Sequence, residues 1–480
     1  MNPNQTKNES ITRQEDDFAQ WYTDVCKKAE LMEYSSVKGF IDYLPYGYAI
    51  WEQIQKFCDE RFKSHGAENV YLPLVIPQSL FATEKEHVEG FAPECLVATV
   101  GGGQRLADPL IIRPTSEILF SELFKKRVSS YRDLPLCYNQ WCSVVRWEKT
   151  TRPFLRGSEF LWQEGHCLFE TEQEAEKNAM DMLEVYDSIG TDLLAIPFVK
   201  GQKTEHEKFA GAVATYSIEA LMPDGKALQS GTSHYLGQGF AKAAGIQFLG
   251  RDQKLDTPHQ TSWGVSTRLL GAVIMVHGDD NGLVLPPRVA PIQVVIVPIR
   301  ADKDPKVAEA AKKIEAELKA RGVRVKLDLS DRTPGWKFAQ WEMKGVPLRI
   351  EVGPRDLANG VITLSKRYNG EKLTEKIDDL DKIPEQLEKI QAEMYQKAKD
   401  FLSAHITTVN SMDELKEVLN SGKGYARMMW KEDEALEMKI KEETDGGTAR
   451  CMPFGEKPFA DTCPLTGEKA DRVIYFAKAY

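Results

Sequence analysis

Between Phe160 and His166 the chain alternates with period two, and Phe160, Trp162, Glu164 and His166 fall on one face of an extended segment, because successive strand side chains point to opposite sides. Upstream, Arg146 leads into a polar loop with Lys149, Thr150, Thr151 and Arg152, then Arg156. This predicts strand, turn, strand. Helical spacing of apolar residues marks Trp51 to Gly66, with the glycine where a C-cap belongs. VYLPLVIP then reads as an extended segment interrupted by prolines. LLGAVIMVHGD and GLVLPP close this region near residue 288. Strands mix with helices without a strict βαβ rhythm, which predicts an α+β class, an antiparallel sheet flanked by helices.

From Val289 the rhythm changes. PIQVVIVPI is a near-continuous apolar run, as in a parallel strand buried on both faces. A capped amphipathic helix, DPKVAEAAKKIEAELKARG, follows it. VRVKLDL, WKFAQWEMKG, VPLRIEVG and VITLSKRYNGE continue as strand, helix, strand, strand. This predicts an α/β domain over 289–398. A charged helical stretch runs to Ala404, and the remainder, with Cys451 and Cys463, predicts a small C-terminal α/β domain over 399–480. Residues 1–15 read as a flexible lead-in, and 16–288 as the first domain.

Hydrophobic content of 42% and charged content of 28% are ordinary for a globular protein. No apolar run is long enough to span a bilayer. The polar start has no h-region and no Arg-rich amphipathic character, which predicts a cytoplasmic protein without a membrane partner. Eight cysteines are too few for a disulfide scaffold, and Cys26, Cys58, Cys95, Cys137, Cys142 and Cys167 read as reduced thiols. A net charge of −10 excludes a general nucleic-acid coat protein. It leaves room for a specific RNA on local basic patches: Lys125, Lys126, Arg127 and Arg132; the loop from Lys149 to Arg156; and Lys200, Lys203 and Lys208.

Several constellations carry candidate chemistry. Arg146 and Arg156 suit a polyphosphate, because guanidinium forks match phosphate oxygens. Phe160 suits stacking on a purine. The bland alternative is a hairpin with salt bridges on its open face. In RPTSE, Thr115 and Glu117 either grip an ammonium or form a capping box. QSGTSH, Gln229 to His234, reads as a small polar loop that holds a ribose or phosphate, or as a plain turn. Arg268, leading an apolar run, is a phosphate clamp or a terminal charge. Gly66-x-x-x-Val70-x-x-Pro73 lies between a long helix and an extended segment.

In this order, the constellations resemble the class II aminoacyl-tRNA synthetases, and most closely the prolyl-tRNA synthetase family. Gly66 to Pro73 matches the family's first motif. Arg146, Glu148, Arg156, Phe160 and Glu164 match the second, and Gly264 to Gly271 with Arg268 the third. RPTSE, FLWQEGH, KTEHEKFAGA, GTSH and PGWKF are similar to strings specific to the prolyl members. The resemblance implies ATP-dependent activation of proline to prolyl-adenylate and transfer to the 3′ end of tRNA(Pro), by a homodimer with Mg²⁺ on the ATP phosphates. Arg146 and Arg268 are then the catalytic pair. ATP falls to Arg146, Glu148, Arg156, Phe160, Gln229, Thr232 and Arg268. Proline falls to Thr115, Glu117, Arg146, Trp162, Glu164, His166, Phe209 and Ser266. The 289–398 domain resembles an anticodon-binding domain, with Glu351, Arg355 and Lys366 as expected RNA contacts or an ordinary ion-pair set.

Two departures from family patterns matter. Only a short stretch links His166 to Gln229, too little for the inserted editing domain of many bacterial prolyl enzymes. The chain therefore resembles the archaeal and eukaryotic-like architecture, with its C-terminal extension. That extension often holds zinc through four cysteines, yet only Cys463 stands at an expected ligand position, so no structural zinc is expected. Two other functions remain open here. One is a synthetase-like binding module without activity, disfavoured by the complete set of Arg146, Phe160, Arg268, Thr115 and Glu117. The other is a sister synthetase for threonine, serine, glycine or histidine.

Overall fold

The computed structural model describes residues 11–82 and 95–480. Residues 1–10 of the expected lead-in lie outside the described residues. Its remaining part is fastened: Thr12 donates twice to the Asp24 carboxylate at 2.8 Å, and the Gln14 backbone N–H donates to Asp280.

The first region is built on an antiparallel sheet. In spatial order its main strands are Leu136–Val145, Glu159–Phe169, His259–Ser266, Ala227–Gly237, Ala214–Leu221 and Val199–Gln202. Two helices cover one face. Helix Pro45–Ser64 starts on a proline and ends before Gly66, whose φ of +85° suits glycine. Helix Glu172–Ser188 starts on a capping box between Thr171 and Glu174. Trp51, Ile54 and Phe62 from the first and Met182, Leu183 and Tyr186 from the second are fully or almost fully buried in one core. Each such side chain contributes about 1.5–3 kcal/mol on burial. The opposite face of the sheet is left open.

Register decides which residues reach that open face. Strand Glu159–Phe169 pairs with Leu136–Val145 from Glu159 to Leu168 and with His259–Ser266 from Trp162 to Phe169, with Gly165 opposite Trp263. A Cβ on Gly165 would lie 2.2 Å from the Trp263 ring, so the indole has room to cross the strand only at this residue. The segment Gln229–His234 is not a loop, as its composition suggested, but lies inside strand Ala227–Gly237. Thr232 pairs with Ser217 on one side and Gly264 on the other. Its small polar residues resemble a turn locally; the preceding strand Ala214–Leu221 and the later strand His259–Ser266 supply the ladder that holds it extended.

The second region is a five-stranded sheet in the order Val325–Leu327, Val294–Pro298, Leu348–Val352, Val361–Lys366, Lys372–Lys376. The first two pairings are parallel and the rest antiparallel. Strand Val294–Pro298 is buried throughout, as its unbroken apolar run predicts. Helix Lys382–Ala404 spans the expected boundary at 398. Its Gln391 side chain ties this region to the first through Arg288 N and Leu193 O.

The C-terminal region, expected as a small α/β domain, is joined to the first region edge to edge. Its strands Ile406–Thr408, Tyr425–Trp430, Arg472–Lys478 and Gly447–Pro453 continue the sheet of the first region, through pairing of Met452 and Pro453 with Gln202 and Gly201. A buried ion triad locks the seam. The Glu219 carboxylate receives Lys203 at 2.7 Å and Arg450 at 3.0 Å, and all three are nearly inaccessible. Burial works to raise the Glu219 pKa, but the Arg450 and Lys203 charges prevail and hold it below the usual carboxylate range.

The register also brings two cysteines together. Cys137 and Cys167, read as reduced thiols, face each other across adjacent strands with Cα atoms 4.1 Å apart, which brings their sulfurs together. Direct cross-strand pairing of residues thirty apart in sequence leaves no local signal. Cys451 and Cys463 are buried in the apolar core of the C-terminal region. Among the described residues no helix is long and apolar enough to cross a membrane.

Removing Arg450 strands the buried Glu219 carboxylate with one cation. Arg450→Met is expected to destabilise the protein by about 3 kcal/mol, the usual scale for breaking a buried charge pair. Denaturant unfolding measures this. A loss below about 0.5 kcal/mol, typical of surface changes, would contradict the seam as described.

Candidate active site

The open sheet face forms the floor of a cleft of about 350 Å³. Because Glu159–Phe169 alternates, Phe160, Trp162, Glu164 and His166 all line it. Glu164 is the organising group. Its carboxylate accepts from the Ser116 backbone N–H at 3.2 Å, the Ser116 hydroxyl and the Gln140 amide at 3.0 Å, and lies 3.2 Å from His166 Nε2. Glu164 thereby anchors the start of helix Glu117–Arg127 to the sheet. A buried carboxylate with this many partners is held in one orientation. His166 is stacked on Phe120, with ring centroids 4.1 Å apart.

The RPTSE segment does not form a capping box. Ser116 occupies the N-cap position without a side-chain cap bond, because its hydroxyl is turned to Glu164. Thr115 instead donates to the Glu117 carboxylate at 2.6 Å. Thr115 and Glu117 are buried and line the cleft. This is a small acceptor-rich corner suited to an ammonium.

Cations gather along the same cleft. Arg146 donates through Nε to Pro114 O at 3.0 Å, and its guanidinium lies 5.4 Å from both the Phe160 and Trp162 rings. Arg268 donates to Leu155 O at 3.1 Å and Gln229 O at 3.3 Å. Burial first, then the charges of Arg156 and Arg146, push its pKa down to about 10. It stays protonated at neutral pH. Arg156 lies 3.9 Å from Glu148 and is half exposed. Three converging guanidiniums repel one another until an anion with several charges arrives.

A third wall comes from the loop after Lys203. Phe209 is held by a bond from its backbone N–H to Thr215 Oγ1 at 3.0 Å, and its ring lies 4.8 Å from His234. His234 Nδ1 lies 3.0 Å from the same Thr215 hydroxyl. Burial pushes the His234 pKa down to about 4, so the ring is neutral at physiological pH.

All the residues expected for ATP and proline line this one cleft: Thr115, Glu117, Arg146, Glu148, Arg156, Phe160, Trp162, Glu164, His166, Phe209, Gln229, Thr232, Ser266 and Arg268. Sequence reasoning missed Ser116 and Gln140, whose link to Glu164 is long-range. It also left Glu207, Thr215 and His234 without roles, though GTSH contains His234. The expected RNA contacts fare differently. Arg355 is exposed on helix Pro354–Ala358. Glu351 is paired with Arg349 at 2.8 Å. Lys366 is 1% exposed and sits 2.7 Å from Glu371. Its ammonium is sequestered, which corrects its assignment as an RNA-backbone contact.

Comparison with known proteins agrees with this geometry. Residues 98–277 match the family model of the class II tRNA synthetase core domain (G, H, P, S and T). Residues 293–387 match the anticodon binding domain, and residues 412–480 the C-terminal domain of prolyl-tRNA synthetase. The fold and cleft are thus those of a class II aminoacyl-tRNA synthetase. The chain is 55% identical to a proline–tRNA ligase of Lachnospira eligens, over 98% of both chains. It is 54% identical to proline–tRNA ligase 2 of Bacillus cereus, over 98% of this chain and 99% of the relative. It is also similar to the crystal structure of prolyl-tRNA synthetase from Cryptosporidium parvum complexed with halofuginone and AMPPNP. That similarity has a TM-score of 0.94 and 42% identity, covering 98% of this chain and 99% of the other. The chain belongs to the prolyl-tRNA synthetase family, the proline–tRNA ligases.

Gly165→Ala places a methyl against the Trp263 ring and forces the strand or the indole to move. It is expected to lower stability by about 1–3 kcal/mol, the range for overpacking a core. Thermal unfolding checks this. An unchanged midpoint would show that the register does not depend on the glycine.

Proposed function

We propose that this chain activates proline with ATP and transfers it to tRNA(Pro). The observation that carries the reading is the convergence of an ammonium-accepting corner and three arginines in one cleft. In the first step an oxygen of the proline carboxylate attacks the α-phosphorus, and pyrophosphate leaves. In the second, a hydroxyl of the terminal ribose of tRNA attacks the aminoacyl carbonyl, and AMP leaves. The protein's part is positioning and charge neutralisation.

In this reading Arg146 and Arg268 are the catalytic residues. Arg146 touches both the α-phosphate and the proline carboxylate. Arg268 takes the γ-phosphate, with Arg156 beside it. Phe160 stacks on adenine, Glu148 binds near the adenine amino group, and Gln229 and Thr232 take the ribose and phosphates. Thr115 and Glu117 accept the two N–H donors of the proline ammonium. Trp162, His166 and Phe209 wall the ring slot, with Ser266 at the back. Glu164 lines the slot and fixes its frame through Ser116. Mg²⁺ belongs with the ATP phosphates, whose oxygens suit this hard cation. No step above is routed through it.

Residues 16–288 are the catalytic domain in this reading, followed by the anticodon-binding domain and a C-terminal domain that begins after helix Lys382–Ala404. Arg355 is the remaining strong candidate for reading an anticodon base. A homodimer fits the exposed Tyr71 and Leu74 that follow the long first-motif helix, at 72% and 44%; large apolar side chains left open mark a contact surface.

The direct test is ATP–pyrophosphate exchange with each amino acid in turn. Proline is expected to give the highest kcat/KM, and a preference for threonine, serine, glycine or histidine would overturn the reading. Arg146→Ala is expected to lower exchange by several hundred-fold or more, about 3–5 kcal/mol for a lost buried charge pair. Activity within about tenfold of wild type would sink the role given to Arg146.

Alanine should also be activated measurably. A slot that excludes bulky side chains discriminates against missing methylenes by only about 1–3 kcal/mol. The stretch from His166 to Gln229 folds into a helix and strands of the catalytic sheet. Pre-formed alanyl-tRNA is therefore expected to decay no faster with this enzyme than in buffer. Rapid enzyme-dependent deacylation would reveal a hydrolytic site elsewhere.

A further inference from the structure

The loop that carries Phe209 is gripped from outside the catalytic domain. Thr204, at its start, donates its hydroxyl to Glu437 Oε2 at 3.0 Å, in the C-terminal helix Glu434–Glu443. The Glu205 backbone N–H donates to Glu432 Oε1 at 2.5 Å. His206 Nδ1 lies 3.3 Å from Glu434. The preceding residue, Lys203, joins the Glu219–Arg450 triad. Three successive residues of the catalytic domain therefore touch the C-terminal region through polar groups, and Lys203 before them reaches it through Glu219. Immediately beyond them Glu207 and Phe209 line the cleft.

Thr204 links the two sides. Its hydroxyl also accepts from the Glu207 backbone N–H at 3.3 Å. Thr204 is 1% exposed and Glu437 4% exposed. The far end of the loop is fixed by Thr215, which accepts from Phe209 N. The loop is thus pinned by the catalytic sheet at one end and by the C-terminal helix at the other.

We propose that the C-terminal region is a specificity element of the amino-acid slot, with Glu437 as a positioning residue that sets the Phe209 loop through Thr204. This rests on the reading of Phe209 as a wall of the proline slot. Glu437 touches neither substrate; it acts through the loop. A buried hydrogen bond at the root of a short loop fixes where the loop's aromatic ring stands, so its loss enlarges the slot without disturbing the arginines.

The electrostatics around Glu437 add a second signature. The charged groups that face it are Glu432 and Glu434 from its own segment and Glu207 from the loop. Lys203 and Arg450 are engaged with Glu219, and among the described residues no cation lies within ion-pair distance of Glu437. Burial first, then these carboxylates, push its pKa up to about 7 against the lowering effect of the Thr204 bond. An acid raised in this way is neutral below that pH and ionises as pH rises through it. The Thr204 bond favours the ionised form and persists as Glu437 ionises; what ionisation adds is a buried negative charge facing Glu432, Glu434 and Glu207.

The test uses the full-length enzyme and pyrophosphate exchange, reading KM for proline, KM for ATP and kcat across pH 6 to 8.5. Glu437→Ala and Thr204→Val are expected to raise proline KM about tenfold, the scale of one buried hydrogen bond. ATP KM should stay within about twofold. Glu437→Gln keeps an acceptor, so its proline KM should stay near wild type. Phe209→Ala separates the two claims. Proline KM unchanged in Phe209→Ala would sink the slot reading. Proline KM raised by Phe209→Ala but unchanged in folded Glu437→Ala and Thr204→Val would overturn the clamp, as would equal rises for proline and ATP.

Discussion

The crossing of Trp263 over Gly165 is the constraint on which the site depends. A strand has two faces, and a slip of one residue would send every side chain to the other side. The indole fits only where the facing strand has no side chain. With that pairing fixed, Phe160, Trp162, Glu164 and His166 must face the cleft, while Gln163, Cys167 and Phe169 face the core. Gln163 is locked there by the Tyr186 hydroxyl at 2.8 Å. The helices that bury Trp51, Phe62 and Tyr186 do more than stabilise the domain. They hold the reverse side of the surface on which both substrates are placed.

From that surface the rest follows by charge. Glu164 is satisfied by Ser116, Gln140 and His166, so it serves as a fixed strut. Its grip on Ser116 brings Thr115 and Glu117 into the cleft. The cleft sets three arginines, Arg146, Arg156 and Arg268, against four carboxylates, Glu117, Glu148, Glu164 and Glu207, so its charge is divided between the two signs. This arrangement favours a ligand with an ammonium at one end and several phosphates at the other. Holding both ends in one orientation supplies most of what adenylate formation requires.

Much of this was legible in the chain. Period-two alternation from Phe160 to His166 and the arginines at 146, 156 and 268 are local signals, and they predicted the composition of the cleft. The unbroken apolar run at Val294–Pro298 likewise announced a strand buried on both sides. What could not be read was set by partners distant in sequence. Gln229–His234 looked like a turn until strands on both sides held it straight. The Ser116–Glu164 and Cys137–Cys167 pairs span 48 and 30 residues. Lys366 resembled a surface cation, yet it is folded inward onto Glu371. The union of the C-terminal region with the catalytic sheet joins Glu219 to Arg450, 231 residues apart, and no window of local sequence contains both.

The central claim is that one cleft holds the ammonium end and the phosphate end together. Titration calorimetry with a non-hydrolysable prolyl-adenylate analogue, compared with proline and AMP separately, tests it most directly. If both ends bind in one rigid site, the analogue should bind at least about a thousandfold more tightly than either fragment, because their binding energies combine without a second entropic loss. An analogue that binds no more tightly than AMP alone would contradict the account.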